Sequence, residues 1–116
     1  MKNVLILHNP SCTKSRATLA LLRDRNIEPR VVDYLNEPPS IEELTRIVRM
    51  LGTGARGLMR TQEPEYRELG LDDESLAENE LIAAMHAHPR LIQRPIVVTR
   101  DKAAIGRPPE AVLEIL

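Results

Sequence analysis

Apolar and polar positions fall into blocks whose period changes along the chain. Val4 to Leu7 is an unbroken apolar run, the pattern of a strand buried on both faces. It ends in a polar loop, His8-Asn9-Pro10-Ser11-Cys12. Lys14 to Arg25 then reads as a helix, with Ala17, Ala20 and Leu21 on one stripe, Leu22 beside it, and no Gly or Pro inside. Arg30 to Tyr34 is a second strand centred on Val31 and Val32. Pro38-Pro39 breaks the chain, and Ser40 followed by Glu43 forms a capping box, so a helix is expected from there to about Leu51, stopped by Gly52 and Gly54. A short helix is expected over Ala55 to Arg60, and a single helical turn near Tyr66 within the otherwise polar stretch from Gln62 to Asp73. Asn79 to His88 carries Leu81, Ile82 and Met85 on one side and ends at Pro89. Arg94-Pro95 leads into the β-branched strand Ile96-Val97-Val98; Arg100-Asp101-Lys102 turns the chain into a return strand, Ala103 to Ile105, completing a hairpin. Pro108 opens a last helix that runs to Leu116.

This order predicts an α/β fold. A strand-helix-strand unit requires a crossover and therefore parallel pairing, while the terminal hairpin adds antiparallel strands. The element order is that of a thioredoxin-like fold: a βαβ unit, an inserted helical block at about 40 to 88, and a C-terminal ββα. Residues 1 to 116 are expected to form a single domain, without internal repeats, linkers or low-complexity tracts.

Composition narrows the function more than the fold. With no Phe and no Trp, the core must be built from Leu, Ile, Val, Ala and Met. Sixteen basic residues against seventeen acidic ones disfavour a general nucleic-acid partner, though a local positive pocket is still possible. No apolar run approaches the ~18 residues of a membrane helix. Met1 to Leu7 has neither the basic start nor the small-residue cleavage site of a secretion signal. The single cysteine rules out an internal disulfide and suits a reducing compartment, so a soluble cytoplasmic protein is expected.

That cysteine is also the principal chemical candidate. A lone cysteine is commonly a small buried apolar residue. Cys12, however, stands between Ser11 and Thr13, in a loop that joins the end of a strand to the first turn of a helix. Unpaired amides and the helix dipole favour negative charge there, and the thiolate is the reactive form. Lys14 and Arg16 add positive charge, and His8 lies across the loop. Cys12-Thr13-Lys14-Ser15 has the spacing of a redox C-x-x-C pair with Ser15 in the second place. Such a protein cannot close its own disulfide and needs an external thiol to complete a turnover. Ser15 is either a hydrogen-bond donor to the Cys12 thiolate or an ordinary first-turn residue. Arg60, Arg94 and Arg107 each stand at an element boundary, and the planar fork of arginine suits a tetrahedral oxyanion. His86 and His88 point in different directions and are read as surface residues, so no metal site is expected. No Walker loop or G-x-G-x-x-G suggests a nucleotide cofactor.

Several segments together resemble the glutaredoxin-coupled arsenate reductases. They are Ile6-Leu7-His8-Asn9-Pro10-Ser11-Cys12-Thr13-Lys14-Ser15-Arg16, Asp33-Tyr34-Leu35 with Pro38-Pro39, Gly57-Leu58-Met59-Arg60, Gln93-Arg94-Pro95-Ile96-Val97 and Gly106-Arg107-Pro108-Pro109. The chain is most similar to the shorter, reductase-like branch, which lacks a C-terminal extension. The resemblance implies that Cys12 attacks arsenate, that Arg60, Arg94 and Arg107 hold the oxyanion, that His8 helps keep Cys12 ionised, and that Ser15 hydrogen-bonds it. It also implies that Pro95 matches the cis-proline beside the thiol. No bound cofactor is implied; glutathione is the co-substrate and glutaredoxin the partner, with no nucleic acid or membrane involved. Two other readings compete: a general thiol oxidoreductase acting on glutathionylated or disulfide substrates, and an Spx-like regulator that binds RNA polymerase. Ser15 removes the redox switch that many such regulators carry.

Overall fold

The computed structural model describes residues 3 to 116; Met1 and Lys2, which lead into the first strand, lie outside the described residues. The chain divides into two compact units, Met1–Glu37 with Arg94–Leu116, and Pro38–Gln93.

The first unit is built on one four-stranded sheet. β1 (Leu5–His8) pairs in parallel with β2 (Arg30–Asp33), joined through α1 (Thr13–Asp24). β3 (Ile96–Val98) lies antiparallel to β1, and β4 (Ala103–Ile105) antiparallel to β3, giving the order β2-β1-β3-β4. This mixed α/β arrangement is thioredoxin-like. The apolar run that predicts the first strand places it one residue early, because His8 still pairs with Asp33. β1 is central and buried, whereas β2 is an edge strand whose Val31 remains exposed. Val4, Ile6, Leu22, Val97 and Val112 form the core, with Leu19, Leu21 and Ile27 packed against it.

The buried face of α1 differs from the expected stripe. Ala17 and Ala20 are exposed; the inward residues are Ser15, Thr18 and Leu22. The two hydroxyls can turn inward because each is hydrogen-bonded: Thr18 donates to the Lys14 carbonyl at 2.8 Å, and Ser15 bonds across the loop. The C-terminal element also differs. Pro109–Ile115 winds as a 3₁₀ helix rather than an α-helix, still burying Val112.

The second unit is helical: α2 (Ile41–Leu51), α3 (Ala55–Leu58), α4 (Pro64–Glu68) and α5 (Glu78–Ala87), then a 3₁₀ turn over Pro89–Leu91. The Ser40–Glu43 capping box is present, and Gly52, with φ of 70°, closes α2 in the left-handed region that glycine adopts without penalty. Leu44, Ile47, Leu58, Leu81, Ile82 and Met85 are buried. α3 ends at Leu58, not Arg60, because Met59 turns extended to bridge Ile92. The Glu78 carboxylate accepts the Ala55 N–H at 2.7 Å and caps α3. No described helix is long and apolar enough to cross a membrane.

Candidate active site

The loop after β1 turns tightly: the Cys12 N–H donates to the Asn9 carbonyl at 2.9 Å, and the Ser11 N–H to Asn9 Oδ1 at 2.9 Å. That turn makes Cys12 the N-cap residue of α1. Its thiol is free and 9% exposed, low enough to weaken solvation yet still open to solvent. Burial pushes the thiol pKa up. The Ser15 main-chain N–H, the Arg94 side chain and the Lys14 main-chain N–H push it down more strongly, so the net displacement is below the ordinary thiol value. These are the effects expected of a helix N-terminus and a guanidinium acting on one sulfur.

Arg107 also reaches the thiol, with Nη2 3.7 Å from Cys12 Sγ, while its Nε donates to the Arg94 carbonyl at 2.8 Å. The segments that carry the two arginines are therefore tied together. Both follow from the same local pattern, an arginine preceding a proline. The Arg94–Pro95 and Arg107–Pro108 bonds are both cis, and Pro95 is buried behind Gly106.

Ser15 and His8 are hydrogen-bonded to each other beneath the loop. The Ser15 hydroxyl is fully buried, accepts the Asn9 N–H at 3.0 Å and lies 2.6 Å from His8 Nδ1. It is committed to the loop, and only its main-chain N–H serves the sulfur. His8 is the last residue of β1 rather than a loop residue, and is 7% exposed. Burial lowers its pKa below 6.5; Asp33 opposes this, and Arg23 and Arg16 reinforce it. The imidazole shares a hydrogen bond with the Ser15 hydroxyl through Nδ1, and the lowered pKa disfavours a positive charge beside the thiolate. His8 thus braces the loop through the Ser15 hydroxyl.

Arg60 belongs to the second unit. There its Nη1 pairs with Glu63 at 2.5 Å and its N–H donates to the Leu91 carbonyl. His86 is exposed at the ring and bonds the Pro39 carbonyl at 2.8 Å. Among the described residues no three His, Cys, Asp or Glu side chains cluster as metal ligands would.

One residue not singled out for chemistry joins the site. The Tyr34 side chain is fully buried at the end of β2, and its neighbours include Arg94, Asn9 and Cys12. Burial, partly opposed by Arg94, raises its phenol pKa. Tyr34 is one of only two tyrosines in a chain without Phe or Trp. It also sits at the carboxyl end of a parallel strand, where α/β folds gather their sites, and these two facts together were the available signal.

The ArsC family model matches residues 7–115. The chain is 53% identical over 116 residues to the protein YfgD of Escherichia coli K12, covering 99% of this chain and 98% of that one. It is 50% identical over 115 residues to the arsenate reductase of Haemophilus influenzae, covering 98% and 99%. Its fold superimposes on the arsenate reductase from Vibrio cholerae with a TM-score of 0.96, at 52% identity and 99% and 98% coverage.

Proposed function

The chain belongs to the ArsC family, and on that premise we propose that it is a glutathione- and glutaredoxin-dependent arsenate reductase working in the reducing cytoplasm. The observation that carries this reading is a single free thiol at a helix N-terminus with the Arg107 guanidinium 3.7 Å from its sulfur and Arg94 acting on the same atom. Two fixed cations beside a nucleophile suit an anionic substrate, because the charge is offset before any bond forms.

The Cys12 thiolate attacks arsenic and displaces an arsenate hydroxyl, which takes a proton from solvent and leaves as water, forming a sulfur–arsenic(V) bond. Glutathione thiolate then attacks the Cys12 sulfur. The sulfur–arsenic bonding pair leaves with arsenic, which departs as As(III), and Cys12 remains as a mixed disulfide with glutathione. No second cysteine exists to resolve that disulfide internally, so glutaredoxin reduces it from outside. Phosphate has the same shape and charge but is not reduced by thiols, so it inhibits without turning over. The Ser15–His8 pair holds the loop that presents Cys12. The resemblance adds Arg60 as a third anion ligand, and this role belongs to the same proposal.

The test is arsenate-dependent NADPH oxidation coupled through glutathione, glutaredoxin and glutathione reductase. Cys12→Ser abolishes turnover. Arg94→Ala and Arg107→Ala each lower kcat/KM by about 10- to 100-fold, the loss of one hydrogen bond to a charged group. Arg60→Ala costs less, because Glu63 already offsets that charge. Retained turnover in Cys12→Ser would overturn the mechanism. A wild-type chain inert toward arsenate, with Cys12 still readily alkylated, would overturn the substrate assignment and leave a thiol enzyme of other specificity.

A further inference from the structure

The Tyr34 hydroxyl and Arg94 Nε are both buried and make no hydrogen bond of regular geometry, although the Arg94 and Asn9 side chains lie close enough to the phenol to act on it. Leaving either atom unpaired costs free energy, and here two occur together next to the nucleophile. The sheet explains why they meet. In the β1–β2 register His8 faces Asp33, and in the β1–β3 register Leu7 faces Ile96. One step beyond the β1–β2 pairs and two beyond the β1–β3 pairs, Tyr34, Asn9 and Arg94 follow their strands in a row at one end of the sheet, outside its ladder. The Arg94 and Asn9 side chains are both neighbours of the Tyr34 phenol there. Asn9 holds the middle of that row and carries the loop turn, since its carbonyl accepts the Cys12 N–H.

We propose that Tyr34 is a positioning residue for Arg94: a small turn of the guanidinium lets the buried phenol oxygen accept from Arg94 Nε, with or without a bound oxyanion, aiming the terminal fork at the Cys12 sulfur and its adduct. Arginine carries five N–H donors in a rigid plane, so fixing Nε on one side fixes the direction of the two terminal nitrogens on the other. A phenol oxygen serves because it accepts without adding charge. A carboxylate in that place would neutralise the guanidinium, as Glu63 does for Arg60. The Arg107 Nε bond to the Arg94 carbonyl holds the backbone of the same residue, so Arg94 would be held at the main chain by one neighbour and at the side chain by another.

The role rests on the oxyanion reading of the preceding section, and the two fail separately. The variants are Tyr34→Phe, Arg94→Ala and the double change. The readouts are the pH profile of Cys12 alkylation by iodoacetamide, which needs no arsenate, the KM and kcat for arsenate, and the Tm. Tyr34→Phe keeps the buried ring, so the Tm changes little. At the same time the alkylation profile moves to higher pH and kcat/KM falls about tenfold, the scale of one hydrogen bond to a charged group. In the double variant the loss equals that of Arg94→Ala alone, because Tyr34 acts only through that arginine. An unchanged alkylation profile in Tyr34→Phe would overturn the role. So would additive losses in the double variant, or a loss of reactivity that only tracks a fallen Tm. Absence of arsenate turnover in the wild type, with the profile still shifted in Tyr34→Phe, refutes the substrate and keeps the positioning role.

Discussion

Ser15→Ala separates a structural serine from one that serves the thiol through its side chain. The hydroxyl is fully buried and makes two bonds: it accepts from the Asn9 N–H at 3.0 Å and is paired with His8 Nδ1 at 2.6 Å. Alanine removes both and cannot replace either. His8 is 7% exposed, so its orphaned nitrogen finds little water, whereas Asn9 is half-buried and recovers part of its loss. An unsatisfied buried group costs about 1–3 kcal/mol, and with the Asn9 share at the low end the total is about 2–4 kcal/mol. For a chain of this length that corresponds to a fall in Tm of about 8–16 °C. The assay is urea unfolding followed by circular dichroism under reducing conditions, with Thr13→Ala as control. Thr13 is exposed on the same turn and should stay within about 0.5 kcal/mol of wild type. The Cys12 alkylation profile should shift little at temperatures where the variant is folded, because the Ser15 main-chain N–H still faces the sulfur. A destabilisation under about 1 kcal/mol, together with a large shift in thiol reactivity, would refute this reasoning and return the Ser15 hydroxyl to direct service of the thiolate.

Two further outcomes follow from neighbouring residues. His8 has its folded-state pKa depressed below 6.5, so the unfolded chain binds the proton more readily. The stability it contributes is present above that value and is lost as pH falls from there through the folded-state value. The urea midpoint measured at steps below pH 6.5 should decline in the wild type and decline less in His8→Gln; parallel curves would count against a buried neutral imidazole. Gly106→Ala places a Cβ 2.6 Å from Thr18 Oγ1 and 2.7 Å from Pro95 Cγ. Overpacking of that kind costs about 1–3 kcal/mol and displaces the segment that carries Arg107, so both the Tm and arsenate turnover should fall. Thr18→Ala in the same chain should restore only part of the loss, since the Pro95 ring remains; full wild-type behaviour in Gly106→Ala would show that the segment is free to move aside.

The elements whose periodicity is local were legible from residue order. The capping box at Ser40, the apolar stripe Leu81, Ile82 and Met85, the β-branched run Ile96-Val97-Val98 and the placement of Cys12 at a helix start all depend on neighbours within one or two turns. Hydrophobic pattern misjudged α1 for a physical reason. It counts hydroxyls as outward, and Ser15 and Thr18 turn inward because each finds a partner that only the folded loop supplies. The same limit applied at the active site. Residue types and their boundaries marked Cys12, Arg94 and Arg107 as candidates, but 95 positions separate Cys12 from the Arg107 that contacts it. Whether His8 carries charge depends on how deeply β1 is buried, and that depth is set by the strands on either side of it. The Tyr34–Arg94 row is more distant still from any local signal, since it comes from two sheet registers acting at once. Residue order thus determined which side chains had the chemistry to act on an anion. Strand pairing decided which of them face the same sulfur, because burial, proton affinity and direction are properties of neighbours in space rather than along the chain.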